Sequence, residues 1–348
     1  MSKKASLMAT FDWIQIQFKK SAFCLDDIFQ LLFMSSEYFI NKLGRLEHYN
    51  YDTQAIYQNI RIYHGDNEDS YMLVMSGEAL KWFRENVLYP LNLTEKQFLQ
   101  NIINNNNLES FSVRRIDVAI DDLNDKPFFT PSQLLKVCQK KRYVYGKSRF
   151  YTTYGDEQTG VTLYLRKPDD DERLRIYDKR LEQVSKENLD KRDIVSWIRT
   201  ELILKKDKAT YFLLDFFETE RDLLDFSKGY LKEKVYFYSD SKFTKRLRAW
   251  DKFLGTSTNV KITIPSKDTL LEQRIDWFVF QGAASTWKAI KFCLENDLFT
   301  EKEWEKVLEI DNALFSAELA SDLMERARTK GKTELIKEIK NNTKKRGR

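Results

Sequence analysis

Leu174-Arg175-Ile176-Tyr177-Asp178-Lys179 sets a phenol between two cations. On a β-strand successive side chains point to opposite faces, so Arg175, Tyr177 and Lys179 share one face and Leu174 and Ile176 the other. A tyrosine hydroxyl flanked by positive charge suits attack on a phosphate, because nucleophile and target both carry negative charge. A surface strand with a half-buried tyrosine would account for the same six residues, and two further stretches shift the balance. In Arg115-Ile116-Asp117-Val118-Ala119-Ile120-Asp121-Asp122 the alternation turns Ile116, Val118 and Ile120 inward and places Asp117, Ala119 and Asp121 opposite them. Two carboxylates on one strand face repel each other unless a cation sits between them. In Arg199-Thr200-Glu201-Leu202-Ile203-Leu204-Lys205, Arg199, Glu201 and Ile203 share a face. If the three strands are neighbours, one sheet face carries Tyr177, Arg175, Lys179, Arg199, Asp117, Asp121 and Glu201. Oxygen-only ligands favour a hard cation, Mg2+ or Mn2+. Each acidic strand taken alone also fits an ordinary solvated face.

The elements that must position these residues belong to a chain of 348 residues, 42% hydrophobic and 14% aromatic, enough for a substantial core. The net charge of +5 is compatible with nucleic acid without being diagnostic of it. Cys24, Cys138 and Cys293 stand far apart with no CxxC pair, which argues for a reducing compartment and against a disulfide frame or zinc site. His48 and His64 are the only histidines and form no metal pair. There is no P-loop and no GxGxxG, which argues against an ATPase or a dinucleotide enzyme. Met1-Ser2-Lys3-Lys4 leads into no long apolar run, so neither a signal peptide nor a membrane span is expected, and the location expected is cytoplasmic.

Residues 10–18 alternate as a strand, 25–42 have helical spacing, and strands are expected over Tyr57–His64 and Tyr71–Ser76. A short helix follows at Glu78–Asn86, and Thr94-Glu95-Lys96-Gln97 opens another. The second segment repeats the order: the Asp117 strand, a helix begun at Thr130-Pro131-Ser132, and strands at Arg149–Tyr154 and Val161–Arg166. Asp169-Asp170-Asp171-Glu172 reads as a solvated hairpin tip, and the Tyr177 strand runs into a charged helix, Lys179–Lys191. The pattern predicts an α+β fold: antiparallel sheet from two similar strand-helix-strand-strand halves flanked by helices, with a helical C-terminal region. The segments expected are 1–110, a catalytic half at 111–255, and a helical region at 256–348 ending in a basic run, Lys330–Arg348. Two basic clusters could grip DNA phosphates: Lys140, Lys141 and Arg142 beside Tyr143 and Tyr145, and Lys242, Lys245, Arg246 and Arg248 before Trp250. For the first, a loop with ordinary core tyrosines is an equal alternative.

RIDVAIDD, LRIYDKRLEQ preceded by TLYL, and WIRTELILKKDKA, in this order and spacing, resemble the Rep_trans family. That family comprises rolling-circle plasmid replication initiators and relaxases of integrative conjugative elements. The resemblance, with fainter echoes from Val74 to Ile290, implies an origin-specific DNA nicking and joining enzyme. Residue by residue it implies Tyr177 as nucleophile, Asp117, Asp121 and Glu201 as acids for the divalent metal, and Arg175 and Lys179 at the scissile phosphate. It further implies a 5′-phosphotyrosyl intermediate on DNA that is single-stranded or extruded at the nick, a partner helicase of superfamily 1, a homodimer, and duplex recognition in the C-terminal part. One departure is Arg166 after TLYL, where the family often has glycine. A hydrolytic metal nuclease using water, and a noncatalytic DNA-binding regulator of the same fold, are the competing readings.

Overall fold

A computed structural model describes residues 7–104, 110–155, 160–187, 196–262, 275, 283–329 and 332–343. The chain forms two compact units, Met1–Ile264 and Pro265–Arg348. In the first, ten strands make one antiparallel sheet. They are β1 (Leu7–Lys19), β2 (Ile40–Leu43), β3 (Thr53–Tyr57), β4 (Ile60–His64), β5 (Ser70–Ser76), β6 (Phe111–Asp122), β8 (Tyr151–Tyr154), β9 (Thr162–Leu165), β10 (Glu172–Asp178) and β11 (Ile198–Lys205). A two-stranded sheet pairs β7 (Tyr143–Tyr145) with β12 (Val235–Phe237). The order across the large sheet is β2-β3-β4-β5-β1-β6-β11-β10-β9-β8, two matching halves joined where β1 pairs with β6. The expected α+β architecture is therefore what forms. Segments 1–110 and 111–255 share this one sheet, and the first compact unit runs on to Ile264.

One face of the sheet is the core. Ile14, Ile16 and Phe18 of β1, Ile116, Val118 and Ile120 of β6, Leu174 and Ile176 of β10, and Leu202 and Leu204 of β11 are buried in one apolar cluster. The helices that bury them are α1 (Leu25–Leu31), α2 (Gly77–Phe83), α3 (Glu95–Asn104), α4 (Pro131–Gln139), α6 (Asp207–Phe217), α7 (Leu223–Lys234) and α8 (Arg248–Leu254). They contribute Ile28, Phe83, Phe98, Leu134, Phe212, Phe226 and Trp250. Between β10 and β11 lies α5 (Lys179–Glu187). The expected caps form: Thr130 Oγ1 accepts from the Gln133 amide, and Thr94 Oγ1 accepts from the Gln97 amide. The second unit is helical, with α9 (Ala283–Asn296), α10 (Glu301–Asp311), α11 (Ala317–Thr329) and α12 (Leu335–Asn341). No described helix is long and apolar enough to cross a membrane.

Several expectations are corrected. The helix expected over 25–42 stops at Leu31; Phe33 takes φ 54, a left-handed turn no helix continues through, and Ile40–Leu43 leaves as a strand pairing with β3. Glu172 is not a solvated hairpin residue. It is 2% exposed and is held by Lys234, Arg166 and the Tyr145 hydroxyl. Tyr143 and Tyr145 are core residues of β7. Arg166 adopts φ 77, a conformation glycine takes without penalty, and its guanidinium reaches Glu172 and lies over the Tyr145 ring. The C-terminal part of the expected helix Lys179–Lys191, most of Ile275–Phe280 and the ends of Lys330–Arg348 lie outside the described residues.

Candidate active site

Strand register builds the site. β10 pairs with β11, setting Tyr177 opposite Arg199 and Arg175 opposite Glu201. β11 pairs with β6, setting Arg199 opposite Asp121, Glu201 opposite Ala119, and Ile203 opposite Asp117. The chemistry-bearing residues of three sequence stretches thus meet on the sheet face turned away from the apolar core, because the alternate positions in each strand are apolar. Lys179, the first residue of α5, brings its ammonium 5.8 Å from the centre of the Tyr177 ring and pairs with Glu182 at 2.9 Å.

Tyr177 is 6% exposed. Arg175 Nη2 donates to its hydroxyl at 3.0 Å and to Glu201 Oε1 at 3.2 Å, while Arg175 Nε lies 2.6 Å from Glu201 Oε2. The guanidinium therefore bridges the phenol and the buried acid, and it also sits 4.4 Å from the ring centre. Arg199 donates to both oxygens of Asp121, at 2.7 and 2.9 Å, and to Asp12 at 2.8 Å. Arg115 donates to both oxygens of Asp117, at 2.8 and 2.6 Å, and lies over the Trp13 ring.

Asp12 was not singled out in the sequence, and it belongs here. A register shift between Phe11 and Trp13 marks a β-bulge, a feature that re-aims one side chain. The signal was present: Phe11 and Ile14 are both buried, three apart, which strict alternation forbids. Arg115, which the alternation did not single out, is the other added member, while Arg199 stands on the face the sequence assigns it.

The electrostatics follow from burying acids together. Glu201 is raised to about 8, first by burial, with Arg175 opposing and the charges of Asp117 and Asp12 adding to the rise. Burial also raises Asp117, against the pull of Arg115. Burial and the Glu201 charge push the Tyr177 hydroxyl up, while Arg175 and Arg199 pull it down. Among the described residues no three such side chains are grouped tightly enough to hold one ion as placed, because arginines hold Asp117, Asp121 and Glu201 individually. The donor set nevertheless fits a hard cation: it is all oxygen, buried, and mutually repelled.

The basic residues lie elsewhere. Lys141 and Arg142 precede β7; Lys245, Arg246 and Arg248 follow β12. The small sheet brings both clusters together: Arg142 Nη1 donates to the Ser239 carbonyl, and Tyr238 bridges Arg246. Arg246 lies over the Tyr236 ring and 3.6 Å from Asp251. Tyr145 of this sheet bonds Glu172 at the start of β10, roughly 17 Å along the strand from Tyr177 at about 3.3 Å per residue.

A sheet of two matched halves with a tyrosine, arginines and acids on the face away from its apolar core defines a class that comparison with known proteins also reaches. Residues 111–308 match the family model of the replication initiation factor, Rep_trans, and residues 8–101 match that of the rolling-circle replication initiation protein N-terminal domain. The chain belongs to this family of replication initiation factors. It is 26% identical over 285 residues to the putative DNA relaxase NicK of Bacillus subtilis (strain 168), covering 78% of each chain. Its fold matches a rolling-circle replication initiator protein from Geobacillus stearothermophilus with a TM-score of 0.60 at 21% identity, covering 75% of this chain and all of that one. Family membership supports a DNA-nicking role and binding to origin DNA.

Proposed function

We propose that the protein nicks and rejoins one DNA strand at an origin through a covalent link to Tyr177, starting rolling-circle replication or conjugative transfer. The observation that carries this reading is the Arg175 guanidinium bonded at once to the Tyr177 hydroxyl and to Glu201. The phenol oxygen attacks phosphorus, the bond from phosphorus to the 3′ oxygen breaks, and the 3′ oxygen leaves as a hydroxyl after taking up a proton. Arg175, already donating to the attacking oxygen, stabilises the negative charge there as its proton departs. Lys179, its ammonium 5.8 Å from the ring centre, and Arg175 hold the phosphate. Asp121 and Asp12 keep Arg199 opposite Tyr177. The phosphotyrosyl bond conserves the energy of the phosphodiester, so rejoining needs no nucleotide.

Asp117, Asp121 and Glu201, with Asp12 beside them, would hold Mg2+ or Mn2+. When bound, such an ion withdraws charge from a nonbridging phosphate oxygen and from the leaving oxygen. Isothermal titration with Mn2+ should show one site whose affinity falls at least about tenfold in Glu201→Gln. Lys141, Arg142, Lys245, Arg246 and Arg248 form the phosphate-binding patch around the small sheet. A superfamily 1 helicase that unwinds from the nick, and a second copy of the chain, are the partners proposed.

The test is covalent capture. An origin oligonucleotide labelled at its 3′ end, incubated with protein and Mg2+, should leave its label on the protein in a denaturing gel. Cleavage with all label free would mean water is the nucleophile and Tyr177 is structural.

A further inference from the structure

The two halves of the sheet correspond strand by strand, and the correspondence reaches the catalytic strand. Outward from the β1–β6 junction the order is β11, β10, β9, β8 on one side and β5, β4, β3, β2 on the other. β4 therefore occupies in the first half the place of β10 in the second. Its sequence is Ile60-Arg61-Ile62-Tyr63-His64, beside Leu174-Arg175-Ile176-Tyr177-Asp178 in β10. The alternation agrees too: Ile60 and Ile62 are core, like Leu174 and Ile176, so Arg61 and Tyr63 take the face of Arg175 and Tyr177.

The neighbouring positions have diverged. Arg61 pairs with Val74 where Arg175 pairs with Glu201, and Tyr63 pairs with Met72 where Tyr177 pairs with Arg199. One strand further, Gln15 and Gln17 stand where Ala119 and Asp121 stand. Tyr63 packs with Tyr51, Met72 and Val74 in a small apolar cluster, so it is not a nucleophile. Arg61 keeps its charge. Among the described residues it has no acidic partner, and its buried Nε has no hydrogen-bond partner. Lys42, exposed, lies on the same face, since it pairs with Gln54, which pairs with Tyr63. At the positions of β2 to β5 that share this face there are two cations and no carboxylate; the acids stand on β6 and β11, as Asp117, Asp121 and Glu201, with Asp12 of β1 joined to them through Arg199. A face with arginine and lysine and no acid does not assemble a metal site, and it does attract phosphate.

We propose that this face of the first half is a second, non-nicking DNA site. It rests on the reading of Tyr177 as the nicking residue. Arg61 and Lys42 hold phosphates of the single strand that flanks the nick; by strand spacings Arg61 lies about 24 Å from Tyr177, five strands away, and Lys42 about 34 Å, seven strands away. The half-buried Gln15, Gln17 and Trp13 of β1 lie between the two sites. The duplicated unit thus keeps an arginine in both copies, Arg61 and Arg175, while the acid paired with it, Glu201, stands in only one, with Val74 at the matching place in the other.

The experiment compares two labelled single-stranded oligonucleotides by fluorescence anisotropy, one restricted to the few nucleotides around the nick and one extended on both sides. In the full-length Lys42→Glu/Arg61→Glu protein, affinity for the extended oligonucleotide should fall at least tenfold. The slope of log affinity against log salt should become shallower by about 1.4, as expected for two lost phosphate contacts on a single strand. Binding and cleavage of the short oligonucleotide should match the parent. Lys42→Glu alone alters an exposed residue and should give part of the loss should the double variant fail to fold. Unchanged binding of the extended oligonucleotide by folded protein, or an equal loss for both oligonucleotides, overturns the proposal. Failure of the unaltered protein to cleave the short oligonucleotide counts instead against the Tyr177 reading, and leaves the anisotropy comparison standing.

Discussion

Tyr177→Phe should bind origin DNA with the affinity of the parent and nick a supercoiled origin plasmid at least about 10⁴-fold more slowly, since the nucleophilic oxygen is gone. The ring stays in its place between Arg175 and Lys179, and Arg175 keeps Glu201 as its acceptor when the bond to the hydroxyl is lost. One hydrogen bond contributes about 1 kcal/mol net, so the melting temperature should move by only a few degrees. This separates a chemical role from a structural one. A gel of plasmid topoisomers, run beside an anisotropy titration, reads both quantities, and full nicking by the variant would remove Tyr177 from its role. Arg175→Lys should be an intermediate case. An ammonium cannot fork between the phenol and both Glu201 oxygens, so the charge survives and the bridge does not.

Glu172→Ala should strongly destabilise the first unit, by about 3–5 kcal/mol, the usual effect of removing one partner of a buried ion pair. Glu172 is 2% exposed and accepts from Lys234 Nζ at 3.0 Å, Arg166 Nη1 at 3.3 Å and the Tyr145 hydroxyl at 3.0 Å. Its loss leaves two cations and a buried hydroxyl without their common acceptor. The Lys234 and Arg166 side chains are 20% and 26% exposed, so water can reach them in part and the lower end of that range applies. The melting temperature should drop by roughly 10 °C, read by circular dichroism. Glu172→Gln retains an acceptor for Tyr145 and should lose less. Nicking below the melting transition should persist, because Glu172 and Tyr177 stand at opposite ends of β10; a folded but inactive Glu172→Ala protein would mean the two ends are coupled.

Much of the site was legible because strand periodicity is local. Ile116, Val118 and Ile120, or Leu174 and Ile176, declare the core face by type alone, and that forces Asp117, Asp121, Arg175 and Tyr177 onto the other. The Asp169–Glu172 run, a hairpin tip as expected through Asp171, misled at Glu172 for the complementary reason. A run of acids between two strands looks solvated unless one knows that Lys234 arrives from α7. The helix expected over 25–42 failed at Phe33, where a left-handed residue sends the chain into a strand whose partner had not been seen.

The order of apolar and polar residues, by itself, determined the α+β class, the face on which the chemistry stands, and the residue types available to it. Tertiary structure alone decided which of those groups touch. It gave Asp121 to Arg199 and Glu201 to Arg175, brought Asp12 in from β1, and gathered two distant basic clusters around one small sheet. The physical reason is that a side chain's face depends on its near neighbours along the chain. Its contacts across a sheet depend on hydrogen-bond register between strands far apart in sequence, where a single bulge re-aims a carboxylate.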